Sequence, residues 1–497
     1  MSEPSPSDHA VRAPTLLQAL VPLVILVALL ATGVLLFGAD AAFGANQIAL
    51  VLAAGVAALV GWRNGLTWEQ MQDGIVQGVG VATGAIFILL VVGALIGSWI
   101  LSGTVPTLIH YGLLVLDPAW FYPAACLLCA AVAMTIGSSW TTAGTIGVAL
   151  MGVAGGLGMD PAITAGAVIS GAYFGDKMSP LSDTTNLAPA AAGGELFTHV
   201  RHMAWTTVPA FALAMIAFAV VGLGASTSSG VAAVGDLSAE MRKHFDLGLH
   251  LLIPLLVVLV MAARKVPALP TVLVGALLGA VFAVIFQPDA VRALAGDGVS
   301  GGLALLKGAW MALFGGFKLE SGVESVDSLL SRGGMSSMLN TVWLILCAMA
   351  FGAVMEKAGL LERLIRSVLA AAKSTGSLIA ATLVTAFGTN IVTADQYISI
   401  VLPGRLYRGE YRKRGLAPVN LSRALEDAGT LTSPLVPWNT CGAYMAATLG
   451  VATWDYLPYA LFNLINPILA LVLAYAGFKI LRLAADEVRE TEIAHRR

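Results

Sequence analysis

Charged residues are scarce in this sequence. Only 11% of its 497 residues are Asp, Glu, Lys or Arg, whereas 58% are hydrophobic and the mean hydropathy is +0.84. Soluble domains carry about 25% charged residues, so a soluble protein is excluded. The composition predicts a polytopic, all-α membrane protein whose partner is the lipid bilayer. We expect no enzymatic activity and no nucleic-acid partner.

Cysteine is equally rare, and its placement argues against redox chemistry. Cys126, Cys129, Cys347 and Cys441 all lie inside apolar segments. The first two have CxxC spacing but lack a thioredoxin-like context, so we interpret them as helix-packing residues. Since no set of histidines and cysteines has the spacing of a transition-metal site, we expect no cofactor.

A polar stretch at residues 175–186 interrupts an apolar helical pattern. It contains Asp176, Lys177, Asp183 and a run of hydroxyl side chains around Pro180. Ionisable residues at membrane depth are costly, so their presence indicates a functional site. Because proline lacks an N–H group, Pro180 predicts a break between two half-helices.

An internal repeat divides the chain into halves at residues 16–224 and 247–484. Three segments match in the same order: residues 93–109 with 352–365, 137–143 with 388–394, and 179–186 with 433–440. Duplicated halves are typical of secondary transporters. The remaining segments are predicted to be an N-terminal tail (1–15), an inter-repeat loop (225–246) and a C-terminal tail (485–497).

The positions of lysine and arginine predict the orientation in the membrane. Basic clusters occur at residues 357–373, 405–414 and 479–482, and loops of this kind face the cytoplasm. Residues 378–402 therefore begin and end on one side, which predicts a re-entrant hairpin with residues 388–390 at its tip. Its counterpart in the first half is the hairpin at 119–150.

Each half is then predicted to cross the membrane five times, so that the second half is inverted and both termini are cytoplasmic. We assign no span to residues 288–337, where the amphipathic segment 303–317 is compatible with the membrane interface. The predicted crossings, including one broken helix per half, are residues 16–37, 46–61, 79–101, 161–193 and 203–224, and residues 247–262, 269–287, 338–357, 417–450 and 456–481.

The two predicted breaks and the two hairpin tips converge on one site. A broken helix exposes unpaired carbonyl groups that coordinate cations and unpaired amides that attract anions. Oxygen donors with few carboxylates suit a hard ion such as sodium. The candidate ligands with hydroxyl or amide side chains are Ser138, Ser139, Ser182, Thr184, Thr185 and Asn186 in the first half, and Thr389, Asn390, Ser433, Asn439 and Thr440 in the second.

Asp183 is the first carboxylate that we assign to ion or proton binding, because it lies inside the break. It binds a cation when ionised and a proton when not, so competition at this one group is sufficient for antiport. The alternative is an N-cap role for the second half-helix. Asp176 has two equally open roles, ion binding or charge neutralisation by the adjacent Lys177.

The second half contributes three further acids. Glu426 and Asp427 precede the second break, and Arg423 at helical spacing is their possible charge partner. Asp395 follows the predicted hairpin tip and binds an ion or makes hydrogen bonds. The histidines, including His199 and His202, fall near predicted span ends, where we expect interfacial positions.

The residues around the two breaks resemble a known family. Residues 171–188 (GAYFGDKMSPLSDTTNLA) look like the signature segment of the NhaC-type sodium/proton antiporters, and residues 432–440 (TSPLVPWNT) resemble its counterpart in the second half. The resemblance implies a secondary antiporter of the ion transporter superfamily in the cytoplasmic membrane. It also implies a scaffold domain, a mobile transport domain, a homodimer, and ion binding at hairpin tips and broken helices.

The leading hypothesis is exchange of sodium, with lithium as a further substrate, for protons. The alternative is sodium- or proton-coupled exchange of small organic acids such as malate and lactate, which occurs in the same family and needs a cationic receptor such as Lys177 or Arg423. An intramembrane aspartyl protease requires glycine at position 173, where this chain has Tyr173. A channel fits inverted repeats with broken helices less well than alternating access does.

Overall fold

A computed structural model describes residues 12–225, 239–323, 326–327 and 330–483. Within these residues the chain is helical, and its only β pairing is an isolated bridge between Leu416 and Arg482. Eight of the described helices are long and apolar enough to cross a membrane. The prediction of an all-α polytopic membrane protein is therefore confirmed. The predicted tails and inter-repeat loop fall in large part on residues 1–11, 226–238 and 484–497, which lie outside the described residues.

The first half begins with three long helices and ends with another, and shorter helices between them carry the polar motifs. A π-helical turn, Ala143–Gly147, joins α6 to α7. The helices are α1 (Leu16–Phe37), α2 (Ala45–Arg63), α3 (Trp68–Leu101), α4 (Thr104–Val115), α5 (Phe121–Ile136), α6 (Ser139–Thr142), α7 (Val148–Gly156), α8 (Pro161–Met178), α9 (Asp183–Ala192) and α10 (Leu196–Ala225).

The described part of the second half contains twelve α-helices. A π-helical turn, Glu426–Thr430, follows α19. The helices are α11 (Ile253–Ala263), α12 (Ala268–Phe286), α13 (Pro288–Ala295), α14 (Gly302–Gly315), α15 (Leu339–Lys357), α16 (Leu360–Ala371), α17 (Thr375–Thr393), α18 (Gln396–Lys413), α19 (Pro418–Leu425), α20 (Thr440–Leu449), α21 (Thr453–Tyr456) and α22 (Leu461–Tyr475).

Long apolar helices of the two halves pack against each other. Helix α2 packs against α15, and α3 packs against both α12 and α15. Helices α5 and α8 approach so closely that a side chain at Gly171 or Gly175 would overlap carbonyl oxygens of α5. Small residues four positions apart allow this kind of contact between membrane helices. The end of α8, where the first polar motif begins, is thereby held against the first hairpin.

The second hairpin turns at a different place from the predicted one. Residues 388–390 lie inside α17, and the turn is at Ala394, whose φ of 56° is in the left-handed region. Asp395 caps the next helix by accepting a hydrogen bond from the Ile398 N–H at 2.8 Å. The predicted tip at 388–390 is therefore wrong. The left-handed conformation costs an alanine about 1–2 kcal/mol of conformational energy. Residue type therefore favours the nearby Gly388 over Ala394 as the position of the turn.

The helices on either side of this turn lie antiparallel. The hydroxyl groups of Thr382 and Tyr411 are 2.9 Å apart, and the Arg414 guanidinium donates to the carbonyls of Ala372 and Ser374 at 2.6 and 3.0 Å. Both ends of the hairpin thus lie together. That the pair re-enters the membrane rather than crossing it stays a prediction.

Candidate functional site

The first broken helix is interrupted at residues 179–182. Its second half begins with Ser182 as the N-cap, whose hydroxyl accepts from the Thr185 N–H at 3.4 Å. The Asn186 amide donates to the carbonyls of Pro180 and Ser182 at 2.9 and 2.7 Å. The Thr185 hydroxyl donates to the carbonyl of Lys177 at 3.0 Å. These side chains satisfy backbone groups that the break leaves open.

Asp183 occupies the first position of α9 and is exposed. The N-cap role that we considered for Asp183 belongs to its neighbour Ser182, since α9 begins at Asp183, one residue earlier than that alternative required. The Asp183 carboxylate is therefore free of a capping function and lines the polar cavity described below.

Asp176 is buried at the end of α8 and is held by the first hairpin. One of its carboxylate oxygens accepts from both the N–H and the hydroxyl of Ser139, at 3.0 and 2.7 Å. The predicted Asp176–Lys177 pair is not formed. Successive residues of a helix point about 100° apart, so the lysine reaches a different partner.

That partner is Asp427, in the π-helical turn of the second broken helix. The Lys177 ammonium lies 2.5 Å from the Asp427 carboxylate, and both side chains are 0% exposed. The hydroxyl of Thr206 and the amide of Asn466 donate to the same oxygen at 3.0 and 2.8 Å. One buried ion pair therefore joins the two broken helices.

The predicted pairing of Arg423 with Glu426 or Asp427 is also wrong. The Arg423 guanidinium donates to the carbonyl of Lys479 at 3.4 Å and forms no ion pair within the described residues. Glu426 is fully buried, and neither of its oxygens has a hydrogen bond, although the hydroxyls of Thr184 and Thr430 lie beside it. Glu426 is thus a buried acid without a hydrogen bond, between the two broken helices.

The second break is held by an amide network. Asn439 caps α20 by accepting from the Cys441 N–H at 3.0 Å, and it donates to the side chain of Asn390 at 3.1 Å. Asn390 in turn donates to the carbonyl of Gly429 and the hydroxyl of Thr432, at 2.7 and 3.0 Å. Asn390 therefore connects the hairpin to the break from within α17.

Two candidate ligands of the second half use their hydroxyls inside the protein. Thr389 donates to the carbonyl of Thr385 at 2.8 Å. Ser433 donates to the carbonyl of Thr430 at 2.7 Å and to the side chain of Gln396 at 3.3 Å. Both hydroxyls donate to protein partners, and their predicted role in ion binding stays a prediction.

A cavity of about 800 Å³ lies where the two halves meet. Three carboxylates line it, Asp176 and Asp183 from the first half and Asp395 from the second. The structure brings together nine of the predicted site residues in its wall: Ser138, Ser139, Asp176, Ser182, Asp183, Thr184, Asn186, Asp395 and Thr440. The other predicted residues do not line it: Lys177, Thr185, Thr389, Asn390, Arg423, Glu426, Asp427, Ser433 and Asn439.

Further polar residues in the cavity wall escaped the sequence reasoning. Gln396 follows Asp395 at the true hairpin tip and accepts from Ser433 and from the Cys441 thiol, at 3.3 and 2.7 Å. Trp140 stacks on Tyr444 with ring centroids 4.0 Å apart, which joins the first hairpin to the second broken helix. Lys265, in a loop remote from every motif, also lines the cavity, and no sequence signal marks it.

A multi-pass helical protein with acid-lined breaks at the junction of its halves has the organisation of a secondary transporter. Residues 171–478 match the Na+/H+ antiporter family. The chain is 41% identical over 435 residues to the Na(+)/H(+) antiporter NhaC of Alkalihalophilus pseudofirmus, an alignment covering 87% of this chain and 91% of that protein. It therefore belongs to the Na+/H+ antiporter family, and the predicted resemblance is confirmed.

Other relatives carry different names. The chain is 37% identical over 488 residues to the arginine/ornithine antiporter ArcD of Halobacterium salinarum, covering 96% of each protein. It is 36% identical over 469 residues to the malate-2H(+)/Na(+)-lactate antiporter of Bacillus subtilis, covering 94% of this chain and 96% of that protein.

Proposed function

We propose that this protein exchanges sodium for protons across the cytoplasmic membrane by alternating access. The observation that carries the proposal is the shared cavity of Asp176, Asp183 and Asp395, to which both halves contribute. Carboxylate and hydroxyl oxygens are the ligands that a hard cation prefers. The similarity to the antiporter of Alkalihalophilus pseudofirmus supports the same assignment.

Asp176 is the principal cation ligand in this proposal. Both hydrogen bonds from Ser139 go to one carboxylate oxygen, Oδ2, which orients the side chain and leaves Oδ1 for the cation. Asp183, exposed in the cavity wall, supplies a second negative charge. The remaining oxygens come from the other wall residues that we predicted: Ser138, Ser139, Ser182, Thr184, Asn186, Asp395 and Thr440.

Glu426 is the proposed proton-binding group. Its carboxylate is buried without a hydrogen bond, which disfavours the charged form and favours the form that carries a proton. Asp427 is neutralised by Lys177, so it is less suited to this role. The residues outside the cavity wall, such as Thr185 and Asn439, shape the breaks instead of binding the ion.

The proposed architecture is an inverted repeat with five crossings in each half, re-entrant hairpins and cytoplasmic termini. In the predicted repeat, α2 corresponds to α12 and α3 corresponds to α15. The packing of α2 on α15 and of α3 on α12 is symmetric under that correspondence, which supports this arrangement. We further propose a homodimer, as the family resemblance implies.

The direct test is a vesicle assay. Everted membrane vesicles containing the protein are energised to form a pH gradient, and adding sodium is expected to dissipate that gradient. Vesicles without the protein are the control. Absence of a response to sodium and lithium, together with a response to an organic acid, would replace this proposal by the alternative.

Organic-acid exchange remains the second candidate because of one cation in the cavity wall. Lys265 lines the cavity and can receive a carboxylate, whereas Lys177 and Arg423, the receptors expected from the sequence, do not. The Bacillus subtilis relative is a malate/lactate antiporter. Malate and lactate in the same vesicle assay, with Lys265→Gln as the diagnostic variant, separate the two functions.

A further inference from the structure

A second group of ionisable side chains lies outside the cavity wall. The histidines belong to α10, and most of the other residues belong to the second broken helix. Both histidines are buried, whereas the sequence predicted interfacial positions for them. His199 is 0% exposed and His202 is 5% exposed. The members of this group, which we call the histidine cluster, are Lys177, His199, His202, Arg423, Glu426 and Asp427.

The two histidines have free ring nitrogens. They lie one turn apart on α10, and Nδ1 of His199 is 2.8 Å from the Ser422 hydroxyl. Nε2 of His199 and Nε2 of His202 are both buried without a hydrogen-bond partner. A buried polar atom left unpaired costs about 1–3 kcal/mol, so two on adjacent turns call for a function.

Charged groups flank the pair on both sides. His199 faces Lys177 of α8, and His202 faces Arg423, Asp427 and Lys479. Lys479 is exposed, with its ammonium 4.4 Å from the centre of the Trp205 ring. The histidine pair therefore interacts electrostatically with exposed Lys479 and with both members of the buried Lys177–Asp427 ion pair.

Glu426 completes the cluster. It is the residue next to Asp427, it is fully buried, and Lys177 is its charged neighbour. An acid in this position has no direct contact with solvent. Protons therefore need side chains that take up and release them in order to reach it.

We propose that His199 and His202 relay protons between solvent near Lys479 and the buried carboxylate Glu426, by a route separate from the cation cavity. The inference rests on the proposed sodium/proton exchange and assigns it a second pathway.

In the first step the O–H bond of the Glu426 carboxyl breaks and an N–H bond forms at a free imidazole nitrogen. In the second step the proton passes from this imidazolium to the other histidine. The imidazolium then loses one proton to the next acceptor, so the net change is one proton moved. Lys177, Arg423 and Lys479 repel the transient cation, and Asp427 stabilises it. The charged histidine is therefore short-lived, as a relay requires.

The test separates the rate of proton release from its amount. Purified protein in weakly buffered detergent solution is mixed rapidly with sodium, and a pH indicator follows the released protons. In His199→Gln and His202→Gln the amplitude should equal that of the wild type. The rate should fall about 100-fold, the lower end of what a positioned acid–base group contributes. Added imidazole should restore the rate in His202→Gly.

His250→Gln is the matched control, because His250 is exposed beside Phe286, with ring centroids 4.7 Å apart, and is remote from the cluster in sequence. Its release rate should be that of the wild type. Sodium affinity, measured in parallel, establishes that each variant is folded, and asparagine replaces glutamine in any variant that fails this check.

Two results would overturn the relay alone. The first is an unchanged rate of proton release in the double variant His199→Gln/His202→Gln. The second is a lost amplitude of release, which would mean that the histidines store the proton instead of conducting it. If wild-type protein binds sodium without releasing protons, the exchange itself is refuted and the relay with it.

Discussion

The buried ion pair between Lys177 and Asp427 should dominate the coupling between the two broken helices. Both side chains are 0% exposed, and their charged atoms are 2.5 Å apart. Removing one partner of such a pair leaves an uncompensated buried charge, which costs about 3–5 kcal/mol. In Lys177→Met the carboxylate retains its hydrogen bonds from Thr206 and Asn466, so the loss should lie near the lower end, about 3 kcal/mol.

The double variant Lys177→Met/Asp427→Asn provides the decisive comparison. It removes both charges, and the side-chain oxygen of the introduced asparagine can still accept from Thr206 and Asn466. The double variant should therefore be more stable than either single variant, with a coupling energy of up to about 3 kcal/mol. The free energy of unfolding, measured by SDS titration in mixed micelles, gives the four values of the cycle. Losses that simply add would show that the two side chains do not interact, and would refute the reasoning.

Three further predictions use the same preparations. Asp183→Asn should abolish sodium-dependent exchange in vesicles without changing the unfolding midpoint, because the carboxylate is exposed and caps no helix; wild-type exchange would remove Asp183 from the mechanism. Gly171→Ala should destabilise by about 1–3 kcal/mol through overlap with a carbonyl oxygen of α5, whereas Gly388→Ala, with open space around it, should stabilise by about 0.5–1 kcal/mol; equal melting temperatures would contradict this. Cysteines introduced at the exposed positions Lys373 and Gly409 should react with an impermeant thiol reagent from the same side of the membrane, since the four native cysteines are buried; labelling from opposite sides would refute the re-entrant hairpin.

The polar breaks could be predicted because their determinants are local. Pro180 and Pro434 stop their helices through the missing N–H group, and the structure places residues 179–182 and 433–439 outside regular α-helix. The first hairpin, predicted at 119–150, turns at Gly137, a residue type that adopts the left-handed conformation without strain, here with φ of 76°. Local chemistry of this kind is visible in a single sequence.

The second hairpin tip was missed for the opposite reason. Ala394 adopts a left-handed conformation that its residue type disfavours, and contacts with other segments hold it there. The carbonyl of Ala394 accepts from the Thr440 N–H of the second broken helix at 2.9 Å. Sequence spacing therefore pointed to Gly388, which lies within α17.

Charge pairing was the weakest part of the sequence reasoning. Asp176 with Lys177 and Arg423 with Glu426 or Asp427 are neighbours in sequence, but the lysine bridges to Asp427 in the other half, 250 positions along the chain. Which buried charges meet depends on how α8, α10 and α19 pack, and the polar residues themselves do not specify that packing. The burial of His199 was not predicted, because it depends on the same packing of helices.

The amino-acid sequence was sufficient to predict a helical membrane protein with two polar breaks, and its motifs identified the antiporter family. These properties follow from composition, from proline and glycine chemistry, and from spacing along one segment. The three-dimensional packing was needed to show that Asp176, Asp183 and Asp395 share a cavity, that Lys177 neutralises Asp427, and that Glu426 is buried without a hydrogen bond. Those pairings join segments far apart in the chain, and buried charges interact according to distance in space, not position in sequence.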